Sequence, residues 1–103
     1  MPALDIDPHD LATVRAILHQ HIPEFEVRAF GSRMKQKARR TSDLDLAVMT
    51  DRPLEVERLA DLREAFSASD LPFMVDLVDW AVTGERFRRI IEGDWTMIAP
   101  GNG

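Results

Sequence analysis

The 103-residue chain contains no cysteine. That excludes disulfides, thiolate nucleophiles and cysteine-ligated zinc. It has no apolar run approaching the roughly 20 residues that cross a bilayer. Its opening residues, Met1-Pro2-Ala3-Leu4-Asp5, are acidic and lack the basic and apolar layout of a signal peptide. A cytoplasmic protein is the expectation. No internal repeat, low-complexity stretch or linker divides the sequence, so it reads as one domain over residues 1–103, with residues 97–103 as a flexible tail. The three histidines, His9, His19 and His21, lack the i, i+4 spacing of a zinc helix and read as surface or helix-end residues.

Composition is that of an ordinary globular domain, with 45% apolar and 30% charged residues. The net charge of −5 argues against a general nucleic-acid binder. The average conceals one local asymmetry. Between Val27 and Thr41 there is no acid, while Arg28, Arg33, Lys35, Lys37, Arg39 and Arg40 supply six of the thirteen basic residues. Such a run is either a solvated loop or an anion site. Phe30 is its only aromatic residue, so stacking on nucleic-acid bases is poorly served.

Periodicity gives the order helix, strand, loop, strand, helix, strand, helix. Asp7 caps and Pro8 opens a first helix whose apolar positions are Leu11, Val14, Leu18 and Ile22, and Pro23 closes it. Phe25 to Phe30 is a short strand, and Gly31 to Ser42 has no period and reads as a loop. Leu44 to Met49 alternates as a strand, with Leu44, Leu46 and Val48 facing one side and Asp43, Asp45 and Ala47 the other. A second helix starts at Pro53 with the stripe Val56, Leu59, Leu62 and Phe66. Phe73 to Asp79 is a third strand, and Thr83 caps a last helix carrying Phe87, Ile90 and Ile91. The expected fold is α+β, a small mixed sheet with helices packed on one face.

The chemistry concentrates at two places. Asp43 and Asp45, two positions apart at the head of a strand, point to the same side about 6–7 Å apart along the backbone. Like charges so placed are unfavourable unless a cation sits between them, and hard divalent cations such as Mg²⁺ take oxygen ligands of this kind. Gly31-Ser32 follows a strand directly, where glycine lets a phosphate approach the backbone and a serine hydroxyl donates to it. Arg33, with Arg39 or Arg40, adds charge-assisted donors for the same anion. In-line transfer at a phosphate is well served by a third carboxylate. Asp76 and Asp79 both stand on the third strand. Asp79 shares parity with Phe73, Val75 and Leu77, the core face, so alternation selects Asp76.

Gly31-Ser32, ten residues and then Asp43-Leu44-Asp45 resembles the signature of the DNA-polymerase-β-like nucleotidyltransferases. Gly31-Ser32-Arg33, Ala38-Arg39, Ser42-Asp43-Leu44-Asp45-Leu46-Ala47-Val48 and Val75-Asp76-Leu77-Val78-Asp79 are most similar to its minimal nucleotidyltransferase (MNT) branch. The resemblance runs from the first helix to Ile90-Ile91-Glu92-Gly93. It implies that Asp43, Asp45 and Asp76 are the catalytic acids and hold two Mg²⁺ ions. It further implies that Gly31, Ser32, Arg33 and Ser42 bind a nucleoside triphosphate, ATP, whose AMP passes to an acceptor hydroxyl. Small MNT proteins are often antitoxins of helical HEPN toxins, so the implied acceptor is a tyrosine on such a toxin. The length leaves no room for a second, acceptor-binding domain, which makes a partner protein the expected complement. The alternative is an inactive MNT-fold antitoxin that neutralises its toxin by stoichiometric binding. Its support is Gln36, which stands where family loops carry a second glycine. Trp95 is the expected partner contact, and the oligomeric state stays open.

Overall fold

The computed structural model describes residues 4–34 and 42–102, apart from the side chain of Ser32. Helix α1 spans Pro8–His21, strand β1 Val27–Phe30, a 3₁₀ turn Gly31–Met34 and strand β2 Leu44–Val48. Helix α2 (Val56–Ser67), strand β3 (Val75–Asp79) and a second 3₁₀ turn (Trp80–Val82) follow, then helix α3 (Glu85–Gly93) and strand β4 (Trp95–Ala99). The strands form one mixed sheet in the order β3-β2-β1-β4. β2 and β3 run parallel, joined through α2, and β1 is antiparallel to both β2 and β4.

Local chemistry explains the first helix as expected. The Asp7 carboxylate accepts from the His9 amide at 2.8 Å, Pro8 occupies the first turn, and the Ile22 amide closes the end on Leu18 O. Val14, Leu18 and Ile22 are buried against Val27, Ala29, Leu44, Leu46 and Val48, with Leu62 and Phe66 of α2 in the same cluster. This is the main core, and it lies on the sheet face covered by α1 and α2. Val56, expected in the α2 stripe, is 83% exposed because it sits at the helix start, beyond the sheet.

The third helix departs from the expectation that all helices share one face. Ile91 of α3 is buried with Phe30 and Ala47, which alternate with the main-core residues and therefore lie on the opposite face. Thr83 does not cap α3. Its hydroxyl donates to Asp79 O at 2.7 Å, and Gly84 takes the cap position without a side-chain hydrogen bond.

The expected tail is also structured. Residues 95–99 form β4, which pairs with β1 in the register Phe30↔Trp95, Ala29↔Thr96 and Arg28↔Met97. Ile98 enters the main core. Beyond the strand, the Asn102 amide donates to Pro23 O at 3.1 Å. Gly101 has φ +72°, and a Cβ there would press on the backbone of Phe25 and Glu26. Among the described residues no helix is long and apolar enough to cross a membrane.

The alternation along β4 makes a specific prediction. Ile98→Ala, which empties a buried site, costs about 2–5 kcal/mol of unfolding free energy. Met97→Ala, on the 49%-exposed neighbour, stays within about 0.5 kcal/mol. Urea denaturation of the two variants checks the pair, and equal effects would contradict an ordered β4.

Candidate functional site

The sheet register brings the expected acids together. In the parallel ladder Asp45 is the Cα partner of Asp76, and Leu46 that of Leu77. Adjacent strands lie about 4.8 Å apart, so Asp45 and Asp76 stand side by side on one face while the leucines enter the core. Asp43 precedes β2 and is exposed, as is Asp76, whereas Asp45 is half-buried. The Leu44 amide donates to Met74 O at 2.9 Å, which ties the heads of β2 and β3 at the level of the acids.

The electrostatics agree with the register. Burial, together with the charges of Asp76 and Asp43, pushes the Asp45 carboxyl above its ordinary range. The ion pairs among the described residues join Arg28 to Glu26, Arg58 to Glu24 and Arg89 to Glu85, and none involves the three acids. Among the described residues no three acidic or imidazole groups close into a ready-made metal cage. The acids form an open rim instead. That suits Mg²⁺, which is generally held by one or two carboxylates together with phosphate oxygens. Carboxylate oxygens are the hard donors that such a cation takes.

Gly31 forms the other wall. It follows β1, has φ +81°, and a Cβ at this position would overlap the Asp45 carboxylate. The side-chain-free turn therefore lets the backbone lie directly against the acid, in a conformation that L-residues adopt at a cost. Phe30, immediately before it, is the cross-strand partner of Asp45 and makes an edge-to-face contact with Phe87 of α3, with centroids 5.8 Å apart.

Asp79 sits apart from this rim. It is 8% exposed on the core face, and its carboxylate accepts from Thr50 Oγ1 and from the Leu54 amide. Thr50 Oγ1 in turn accepts from the Ala81 amide at 3.0 Å. Asp79 is thus a latch between the β2–α2 connection and the end of β3.

The basic residues divide. Arg28 belongs to β1, where it pairs with Glu26 at 2.5 Å and stacks 3.9 Å over Trp95. Trp95, expected at a partner surface, is therefore half-buried beneath Arg28. Arg33, expected at the triphosphate, is turned inward with 3% of its surface exposed. Its guanidinium donates to Ser42 O and Asp5 O and lies 4.4 Å over the Phe73 ring. The acceptors at Ser42 and Asp5 are main-chain carbonyls, which carry no residue signature. Lys35, Gln36, Lys37, Arg39 and Arg40 lie outside the described residues, as does the Ser32 side chain.

A mixed sheet backed by two helices, with paired strands presenting acids beside a glycine turn, defines a nucleotidyl-transfer scaffold. The family model described as "Polymerase beta, Nucleotidyltransferase" matches residues 13–99, and the chain belongs to that family. It is 52% identical over 95 residues to the "Probable protein adenylyltransferase MntA" of Haemophilus influenzae, covering 92% of this chain and 83% of that protein. It is also similar to a chain in a crystal structure of a toxin–antitoxin with AMP-PNP. There the TM-score is 0.72 and the identity 25%, over 89% of this chain and 73% of the other. A structure of the tri-AMPylated Shewanella oneidensis HEPN toxin in complex with MNT antitoxin contains a chain of the same fold. That likeness has a TM-score of 0.67 and 23% identity, over 91% of this chain and 71% of the other.

The raised Asp45 carboxyl has a consequence for the metal-free protein. A carboxyl whose folded-state pKa lies above its unfolded one costs stability once both states are ionised. The cost is therefore full above the raised value and vanishes below the ordinary one, about 3.9. Asp45→Asn keeps the shape without the charge, so with chelator present it should melt a few degrees above the parent at pH 7. At pH 3 the two should melt together. Thermal melts at both pH values check this, and a variant less stable at pH 7 would contradict the repulsion.

Proposed function

We propose that this chain is a Mg²⁺-dependent protein adenylyltransferase that moves AMP from ATP to a tyrosine hydroxyl of a HEPN-type toxin, acting as the antitoxin of that pair. The observation that carries the reading is the β2–β3 register, in which Asp45 and Asp76 are ladder partners beside Gly31. The relative named as a protein adenylyltransferase supports AMP transfer. The similar structures with AMP-PNP and with an AMPylated HEPN toxin support the nucleotide and the partner.

In this reading Asp43, Asp45 and Asp76 are the residues that would hold the Mg²⁺ ions. When bound, the ions supply the positive charge that neutralises triphosphate oxygens and favours the ionised acceptor. Gly31 admits the phosphates against the backbone, and Ser32 and Ser42 donate to them. Asp76, the most open of the ladder acids, takes the proton of the tyrosine hydroxyl. The acceptor oxygen then bonds to the α-phosphorus, the bond to the bridging oxygen breaks, and pyrophosphate departs. The partner completes the site by delivering the hydroxyl, and the exposed positions of Asp43 and Asp76 leave that side open to it.

Purified chain, Mg²⁺ and ATP labelled at the α-phosphate should label the toxin, with a mass increase of one AMP on a tyrosine. Asp43→Asn, Asp45→Asn and Asp76→Asn should each lower the rate by about 100-fold or more, a loss of roughly 2.7 kcal/mol of transition-state stabilisation. No label, together with acid variants that still neutralise the toxin, would establish stoichiometric binding in place of catalysis.

A further inference from the structure

The guanidinium of Arg33 joins three segments that are distant in sequence. Its Nε and Nη2 both donate to Ser42 O, at 3.0 and 2.8 Å, and Nη1 donates to Asp5 O at 2.9 Å. Its own carbonyl accepts from the Asp5 amide at 2.8 Å, so the N-terminal segment and the 3₁₀ turn are tied twice. The guanidinium carbon lies 4.4 Å over the Phe73 ring, and the next residue, Met74, accepts from the Leu44 amide. Ser42 immediately precedes Asp43. The side chain is almost wholly enclosed.

We propose that Arg33 is a positioning residue that sets Asp43 and the head of β2 against β3. This rests on the acid-cluster reading above and deepens it, because it assigns the holding of the first acid to a buried guanidinium bonded to the carbonyl just before it. The planar fork is what the geometry uses. Two nitrogens of one guanidinium converge on one carbonyl while a third reaches another segment and the central carbon sits over a ring. A lysine ammonium keeps the charge but cannot make that set of contacts. The head of β2 needs such a tie. Asp45 and Asp76 are Cα partners at that end of the ladder, and Asp43 itself is exposed and outside the strand.

The test uses the whole chain, as parent, Arg33→Lys and Phe73→Leu, with the exposed Arg89→Lys as a control. Two readouts are taken: exchange of the Leu44 amide by NMR, and Mn²⁺ binding by electron paramagnetic resonance. Arg33→Lys should speed Leu44 exchange by about 10-fold or more and weaken Mn²⁺ binding by about 5-fold or more. The Val27 amide should stay as protected as in the parent. Phe73→Leu should move both readouts in the same direction by less, and it carries the test should Arg33→Lys fail to fold. Arg89→Lys should change neither. Unchanged Leu44 exchange would overturn the proposal, and so would faster exchange with undiminished Mn²⁺ binding, which would make Arg33 merely structural. A parent chain that binds no Mn²⁺ would contradict the acid-cluster reading itself, and Leu44 exchange would then decide the Arg33 tie alone.

Discussion

The parallel pairing of β2 with β3 forces two carboxylates into adjacent ladder positions, and the rest of the molecule accommodates that repulsion. Leu46 and Leu77, next in the same ladder, are held on the opposite face by the main core. The acids cannot separate by a register slip without turning the leucines out to solvent, since a shift of one residue exchanges the two faces. Apolar burial under α1 and α2 therefore fixes an arrangement that electrostatics alone would reject. A cation placed between the two carboxylates would relieve that conflict.

Several ties hold the segments that carry the acids. Gly31 brings main chain against Asp45 because it has no side chain to interpose. Arg33 gathers the N-terminal segment, Ser42 and Phe73. Asp79, the acid left out of the rim, anchors Thr50 and the Leu54 amide at the other end of β3. Two aspartates three residues apart on one strand thus do opposite work, one held open and one used as a buried acceptor. The difference follows from strand parity and not from residue type.

That parity is why the acids were legible in the sequence. A period of two, read on the Leu44 and Phe73 segments, places Asp45 and Asp76 on the face away from the leucines, and the ladder adds that they are neighbours. The first helix was equally legible, since its cap, its proline and its apolar spacing are local signals. Strand β4 was not. Trp95 to Ala99 buries Ile98 fully but leaves Met97 open, and so short a stretch before Pro100-Gly101 resembles a tail until β1 is there to pair with it. The side taken by α3 depends on whether Ile91 meets Ala47 or the main core, a tertiary choice with no local trace. The inward turn of Arg33 escaped for a related reason: a cation beside a glycine turn suggests phosphate, while carbonyl acceptors contributed by Asp5 and Ser42 are invisible in a sequence.

The central claim is that Asp45 and Asp76, partners in the β2–β3 ladder, form a site for a divalent cation. Carboxyl ¹³C NMR of Asp45 across a pH titration, with chelator and then with Mg²⁺ and a non-hydrolysable ATP analogue, tests it most directly. The account predicts a midpoint above the ordinary aspartate range in chelator and below it when cation and nucleotide are present. A midpoint that does not move on adding them would contradict it.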